Sequence, residues 1–539
     1  MPARLLTARP QPQLSKPEAE VAPVMGMDGT LALFNMPQGT AVYLYNLLPT
    51  EYGAQTRAGD RTWAQGLAGG DVRSILPFNS QVFGGAESRL FGVTPSGIYD
   101  CTVQGTDTPI AVVTFPDTSL DAGFCTFLHH TDPAGNQVLL VADARNGMYQ
   151  YNPTGAVWTK YTSEITGVDP TKVAFIMNHK GRIWMIERDS SDAWYLPVGQ
   201  RTGAATKFQL GSKMKHGGYL VGLYSWSVDG GDGVDDYLLA VSKAGDLLAY
   251  RGSDPAFADK WDLVGKFFIG EVPENRRIAS ETGGDTILLS VFGATSVEQL
   301  LSGIDPNKTE RNVTAKIARF IRTAIADKIT LPYWEIKFLM AENLMVINSP
   351  RRVNEDYIQY ALNINRVSEE SGGGWGLMRG VGATTFESYN GTSYFGTEDG
   401  KIKQVFGSLD GVDIAGAGGQ PIEFSGLGRF TNYGSPANKQ VTFIRPAFVT
   451  SNVLTYSTKA VYDFQLSEIV DSAVAGVVSG ALWDAAFWDQ AIWSGLSTDS
   501  KLGASQGFGR NVAIAIRGSA VQRSTLINTE IMWQPWGFL

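Results

Sequence analysis

DDYLLAVSKAGDLLAYRG (residues 235–252) holds two apolar runs, Tyr237–Val241 and Leu247–Tyr250, joined by Ser-Lys-Ala-Gly-Asp. Runs of this length around a glycine turn spell a β-hairpin. The theme recurs in SRLFGVTPSGIYDCTV (88–103), NQVLLVADARNGMYQYN (136–152), GRIWMIERDSSDAWYLPV (181–198), GDTILLSVFGATSVEQL (284–300), NLMVINSPRRVNEDYIQYALN (343–363) and TSYFGTEDGKIKQVF (392–406). Gly97, Gly147, Gly245 and Gly400 mark some of the corners. Successive hairpins lie roughly 45–60 residues apart, and further strand-like pieces such as KVAFIMN (172–178) and YLVGLYSWSV (219–228) lie between them. About four strands per unit, repeated along the chain, predict a mainly β protein built on a β-propeller of six or seven blades.

The flanks read differently. Residues 1–29 begin with five prolines (Pro2, Pro10, Pro12, Pro17 and Pro23) among polar residues, the composition of a flexible arm, and carry no apolar signal core. The strand-like segment at 30–71 is expected to join the C-terminal domain. The propeller is expected to occupy 72–410. DGVDIAGAGGQPIEF (410–424) is Gly-rich and reads as a linker into a β-sandwich-like platform domain, 411–539, with strand patterns at 442–451, 454–464, 512–519 and 527–536. One segment breaks the β pattern. TERNVTAKIARFIRTAIADKI (309–329) spaces Val313, Ile317, Phe320, Ile321, Ala324 and Ile325 by threes and fours. That predicts an inserted amphipathic helix of about 18 residues, with Lys316, Arg319 and Arg322 on or near its outer side.

Inside the platform domain, ALWDAAFWDQAIWSG (481–495) repeats Ala, a large apolar residue, Trp, then Asp or Ser. Steps of five rotate a helix by roughly 140° each and alternate the faces of a strand, so neither element gathers Trp483, Trp488 and Trp493 on one face. The Trp-Asp pairs are also far too close to be one per blade. A chain of tight turns remains, with each ring packed into the core or anchoring a subunit interface, where Trp is enriched.

The 539 residues suffice for two or more domains. A net charge of −9 argues against a tight nonspecific grip on nucleic acid, which needs basic patches, but leaves a weak sliding contact open. No 18-residue apolar run occurs, so no membrane span is expected. Cys101 and Cys125 lie outside any metal-type spacing and read as buried thiols. The four histidines, His129, His130, His179 and His216, form no HExxH pattern, and no GxSxG, P-loop or GxGxxG is present. No catalytic or cofactor-binding residue is expected. DGGDGVDD clusters Asp229, Asp232, Asp235 and Asp236, carboxylates that suit Ca²⁺ but lack EF-hand spacing; the residues 229–236 also read as a solvated hairpin loop.

Several stretches carry a family resemblance. LYNLLPTEYGAQTRAGDRTW (44–63), VRSILPFN (72–79) with RLFGVTPSGIYDCT (89–102), and GGWGLMRG (373–380) with YFGTEDGKI (394–402) are among them. AWYLPVGQRTGAATKFQLG (193–211), running into 217–255, is the most specific, and the Trp loop and the terminal EIMWQPWGFL add to it. In texture and order the chain, from about residue 40 to its end, resembles the tail nozzle proteins of short-tailed double-stranded-DNA bacteriophages, the podoviruses. The resemblance implies a non-enzymatic virion structural protein, made in the host cytoplasm and located in the tail. Six copies would form a ring at the tail's distal end, below an adaptor ring, with tail fibres or spikes around it. The genomic DNA would be retained and later passed through its channel. A β-propeller enzyme or glycan-binding protein is the alternative expectation, and a propeller scaffold for protein partners is a third.

Overall fold

A computed structural model describes residues 15–80, 88–229, 234–282, 284–307, 312–366, 373–451, 454–466, 474–475, 497–500 and 503–536. The chain is mainly β and divides into two compact units. One is Ala58–Gln420; the other joins Met1–Arg57 to Pro421–Leu539.

Within Ala58–Gln420 the described residues form seven successive antiparallel groups of strands, sheets 1 to 7, besides a short parallel pair, Ile165–Thr166 with Gly203–Ala204. Sheet 1 is Ser74–Phe78, Arg89–Thr94, Gly97–Asp100 and Ala111–Thr114. Sheet 2 is Cys125–Thr131, Gln137–Asp143, Gly147–Asn152 and Val157–Lys160. Sheet 3 is Val173–His179, Arg182–Glu187, Ala193–Tyr195 and Thr206–Phe208. Sheet 4 is Leu220–Asp229, Val234–Ser242, Asp246–Gly252 and Trp261–Phe268. Sheet 5 has three strands, Ala279–Glu281, Thr286–Ser290 and Gly293–Ser296. Sheet 6 is Glu335–Leu339, Leu344–Ser349, Ile358–Asn363 and Gly374–Arg379. Sheet 7 is Ala383–Tyr389, Thr392–Thr397, Ile402–Val405 and, from the other end of the unit, Asp60–Ala64. Each of the seven hairpins quoted above supplies the second and third strands of one sheet.

The first strands of consecutive sheets are neighbours in chain order, and that of sheet 7 adjoins that of sheet 1, so the series closes on itself. Apolar side chains fill the space between sheets. Phe91, Val93 and Ile98 of sheet 1 meet Leu139, Tyr149 and Tyr151 of sheet 2. Leu140 and Met148 of sheet 2 meet Ile183 and Met185 of sheet 3. Ala64, Tyr389, Tyr394 and Ile402 of sheet 7 meet Ile75, Leu90 and Tyr99 of sheet 1. Glycine is needed where turns press on neighbouring backbone. At Gly245 (φ +93°) a Cβ would lie 2.2 Å from the carbonyl oxygen of Gly270, and at Gly147 (φ +82°) 2.6 Å from that of Pro170.

Sheet 5 is followed by helices. Ser296 caps the helix Val297–Leu301, its Oγ accepting from the Gln299 N–H at 3.2 Å. Ser296→Ala is expected to destabilise the protein by about 1 kcal/mol, read as a lower urea midpoint. The basic segment read as a helix over 309–329 is shorter: a 3-10 turn, Ala315–Ile317, leads into a helix, Ala318–Lys328, and 308–311 lie outside the described residues. Ile317, Ile321 and Ile325 are buried as the spacing predicts, whereas Phe320 is exposed. Two of the cations expected outside turn inward. Lys316 is buried, with Nζ 3.4 Å from the Gly373 carbonyl, and Arg322 donates from Nε to the Phe292 carbonyl at 3.0 Å. Carbonyls left by the neighbouring loops are better partners there than solvent, and long basic stems pack readily on apolar surface.

The second unit is two packed sheets. One contains Leu47–Pro49, Ala54–Thr56, Thr525–Pro535, Lys439–Thr450 and Ser497–Ser500, with Lys16–Val21 also paired to Thr525–Pro535. The other contains Ala41–Tyr45, Gly418–Gly428, Val512–Ala520 and Leu454–Tyr462. Phe424 and Tyr456 of one sheet meet Phe448 of the other, at ring-centroid distances of 5.8 and 5.2 Å. Lys439 is fully buried here. Its Nζ donates to the carbonyls of Ser435 (2.6 Å), Ala437 (2.9 Å) and Arg510 (3.0 Å).

The boundaries depart from the expected ones in three places. Part of the N-terminal arm, Lys16–Val21, is a paired strand; residues 1–14 lie outside the described residues. Of the 30–71 segment, the strands through Ala54–Thr56 join the C-terminal residues, but Asp60–Ala64 completes sheet 7. The Gly-rich stretch read as a linker contains the strands Leu409–Val412 and Gly418–Gly428. No helix among the described residues is long and apolar enough to cross a membrane.

Candidate functional site at the hub of the seven sheets

The residues just before the first strands of the sheets converge at one end of the ring. Four of the sheets have a charged or aromatic residue there: Arg73 before sheet 1, Phe124 before sheet 2, Arg276 and Arg277 before sheet 5, and Tyr333 and Trp334 before sheet 6. Arg277 is the centre of this set. Its guanidinium donates to the Arg73 carbonyl at 2.7 Å and the Thr385 hydroxyl at 2.5 Å, and lies 3.4 Å from Glu335 Oε1. One side chain thereby ties sheets 5, 1, 7 and 6. Phe124 and Tyr333 meet between sheets 2 and 6, with ring centroids 5.4 Å apart, and the guanidiniums of Arg73 and Arg277 lie 5.1 and 5.9 Å from the Phe124 ring.

Burial sets the charge states. Burial pushes the Glu335 carboxyl above its ordinary range, and Arg277 and Lys337 pull it back. Its oxygens also accept from the Phe386 N–H at 2.9 Å and the Thr385 hydroxyl at 3.3 Å. Burial lowers the Arg276 guanidinium, which donates to the Leu220 and Val221 carbonyls at 3.2 and 3.0 Å. Arg73 spans Asp71 at 2.7 Å and the carbonyls of Leu120 and Ala122 at 2.7 and 2.8 Å. The Tyr333 hydroxyl donates to Asp71, and Tyr333 itself holds φ +76°, a strained conformation for a bulky residue. Above this set opens a cavity of ≈290 Å³, with Arg188, Arg276, Asp121, Asp189, Glu274, Tyr219 and Tyr333 among its lining residues. The Tyr219 hydroxyl donates to Glu274 Oε1 at 2.7 Å. Chemically the arrangement is a clamp: carboxylates face guanidiniums, and hydroxyls are spent on carboxylates.

The residues singled out in the sequence are not brought together here. Trp483, Trp488 and Trp493 lie outside the described residues. So do residues 230–233 of the acidic loop; Asp236 accepts from the Ser227 hydroxyl at 2.6 Å. Among the described residues no group of three or more His, Cys, Asp or Glu is placed to hold a metal ion. Cys101 and Cys125 are buried free thiols. His179 contacts Ser225 in sheet 4, and burial lowers its pKa to about 4, whereas His216 Nδ1 lies 2.7 Å from Asp246. His129 and His130 line a separate cavity of ≈250 Å³ with Asn79 and Gln137. Sequence inspection missed the hub. Its signal is a charge or aromatic just ahead of an apolar strand, as in VRS (72–74), NRRI (275–278) and PYWEI (332–336), which otherwise reads as a solvated strand flank.

No protein-family model matches the chain, and no curated protein matches it. Among solved structures it is similar to the computationally designed Ika8 protein, at 8% identity and a TM-score of 0.36, over 65% of this chain and 99% of that one. It is also similar to BBS1N in a complex with ARL6DN soaked with lead, at 13% identity and a TM-score of 0.28, over 62% of this chain and 79% of that one.

Proposed function

We propose that the seven sheets are the blades of a β-propeller and that the chain is a structural protein of a short phage tail, its nozzle. Six copies surround a channel below an adaptor ring, hold the packaged DNA, pass it at ejection and anchor fibres. The observation that carries the proposal is the hub clamp. Arg277 binds four sheets to one another, which suits a rigid building block. The DNA path lies between copies and not through the blades of one copy. The net charge of −9 fits such a path, because a wall that gripped phosphates would stall ejection. Sheet 7, closed by strands from both ends of the unit, makes opening the ring dependent on breaking Asp60–Ala64 from Ile402–Val405. The family resemblance of the sequence supplies the hexamer, adaptor and fibres.

The test is electron microscopy of the purified chain, alone and with its adaptor. A six-fold ring with a central channel is expected; a monomer in both samples overturns the proposal. Trp488→Ala is expected to shift the assembled mass to the single chain, and an unchanged ring leaves the Trp loop a core-packing role. The ≈290 Å³ cavity, with Tyr219 and Tyr333 beside carboxylates, favours a second reading as a glycan-binding or glycan-cleaving propeller. Saccharide turnover or binding by a monomeric chain would establish it.

A further inference from the structure

Arg276 stands apart from the other cations of the hub. Arg73 is bonded to Asp71 and Arg277 lies beside Glu335, but no carboxylate among the described residues pairs with Arg276. Taking a charge out of water without a counter-charge is costly, and buried charges are as a rule paired. Its Nη1 donates to the Leu220 and Val221 carbonyls, whereas the N–H groups of Nε and Nη2 have no acceptor among the described residues. The side chain is half-buried and lines the ≈290 Å³ cavity. Its backbone is fixed from both sides. The Arg276 N–H donates to Asn275 Oδ1 at 2.6 Å, Asn275 Nδ2 donates to the Trp334 carbonyl at 2.6 Å, and the Tyr224 hydroxyl donates to the Arg276 carbonyl at 3.1 Å. The guanidinium is thereby held in place before any ligand arrives.

The rest of the lining says what that fork would take. Arg188 is a second cation with little committed. Its Nη1 donates to the Arg145 carbonyl at 3.2 Å, and its pair with Asp189 spans 4.0 Å, with the Asp189 side chain 82% exposed and screened by water. The acids of the lining, Asp121, Asp189 and Glu274, are exposed, whereas Arg188 and Arg276 are half-buried. A ligand therefore meets acids at the mouth and guanidiniums deeper in. Arg73 is spent on Asp71, and Glu274 takes the Tyr219 hydroxyl and lies 3.6 Å from Lys243. That leaves Arg188 and Arg276 against Asp121 and Asp189, a lining without net charge, which does not favour a polyanion such as phosphate or a nucleic-acid backbone. A single carboxylate that also carries hydrogen-bond donors suits both ends. A guanidinium meets a carboxylate with two parallel N–H bonds, and Asp accepts from hydroxyls. Leu120, Phe124 and Pro332 add apolar surface for the carbon face of a ring. The volume is at the small end for ligand cavities, fit for one ring and not for a long chain.

We infer that the hub cavity binds a hydroxylated carboxylate of single-ring size, a uronic acid being the type, with its carboxylate on Arg276 and Arg188 and its hydroxyls on Asp121 and Asp189. The inference rests on the glycan reading of this cavity, and it holds whether or not copies form a ring. The test is isothermal titration calorimetry of the full chain with sodium glucuronate, glucose and inorganic phosphate at one ionic strength. One glucuronate per chain is expected, with glucose and phosphate each weaker by about tenfold or more, the loss of a charge-assisted pair. Glucose bound as tightly as glucuronate overturns the inference and leaves the glycan reading standing. No binding of either sugar overturns both. Phosphate bound as tightly as glucuronate marks a general anion site and overturns the inference. Arg276→Lys keeps the charge without the fork and is expected to weaken glucuronate about tenfold and to leave glucose unchanged. Arg188→Gln alters a half-buried side chain that holds one carbonyl, so the fold is kept, and it is expected to weaken glucuronate and not glucose. Full glucuronate affinity in both variants places the sugar elsewhere and overturns the inference.

Discussion

Arg277→Ala is expected to lower the stability of the protein by about 3–5 kcal/mol, the loss that follows when one partner of a buried ion pair is removed. Glu335 is the group left behind. It is buried between sheets 6 and 7; its neighbours Phe386 and Thr385 donate hydrogen bonds but no charge, and the other cation acting on it, Lys337, is paired with Glu387 at 2.7 Å. The Arg73 carbonyl and the Thr385 hydroxyl lose their guanidinium donor at the same time. Urea unfolding at neutral pH reads the loss as a lower midpoint. The double variant Arg277→Met/Glu335→Gln removes both charges and is expected to recover most of the stability, since a buried pair replaced as a unit is often neutral. A single variant as stable as the parent would mean that the clamp contributes nothing.

The pH dependence follows from the sign of the Glu335 shift. Its folded pKa is raised by burial even with Arg277 present, and is raised further without it. A raised carboxyl gives a stability contribution that is complete below its unfolded value and is lost as pH rises through the folded value. The deficit of Arg277→Ala is therefore expected to be smaller at mildly acidic pH than at neutral pH. In acid Glu335 is protonated and no bare charge remains. A deficit that stays constant, or grows on acidification, contradicts this assignment.

The hairpins were legible in the sequence and the hub was not, for one physical reason. A hairpin is encoded within about 18 residues by alternation and turn chemistry, as at 235–252. The hub is encoded by single residues more than 200 positions apart, Arg73 and Arg277 among them, and exists only once the ring has closed. Periodicity placed Ile317, Ile321 and Ile325 correctly on a buried stripe. It misplaced Lys316 and Arg322, because spacing reports which residues share a face and not which carbonyls wait on the neighbouring loop. Glycine content at 410–424 suggested a linker, yet Gly418–Gly428 is a strand, its partner Val512–Ala520 supplying the register that local propensity lacked. The Trp pentads, the most conspicuous pattern in the sequence, fall outside the described residues, so the interface role of Trp483, Trp488 and Trp493 remains with the assembly experiment.

Trp184→Ala is expected to match the hub variant in size, at about 3–5 kcal/mol, for a different reason. Trp184 is fully buried between sheets 3 and 4. Its ring lies 5.0 Å from Tyr195 and 5.6 Å from Phe208 of its own sheet, and 6.0 Å from Trp261 of the next. Phe208 in turn meets Tyr250 of sheet 4 at 5.2 Å. Removing the indole leaves a void that rings held by two separate sheets cannot jointly close, and the penalty grows with the void that remains. The indole N–H has no acceptor among the described residues, so nothing polar is lost with it. Trp184→Phe is therefore expected to lose markedly less than Trp184→Ala, by the difference in volume alone. If the two variants unfold at the same urea concentration, the Trp184 contribution is not packing between sheets. Because neither substitution touches a charge, both deficits are expected to be flat across the pH range in which the Arg277→Ala deficit changes. That contrast separates the two ways this ring is held: apolar wedges between neighbouring sheets, and one charged clamp at the hub.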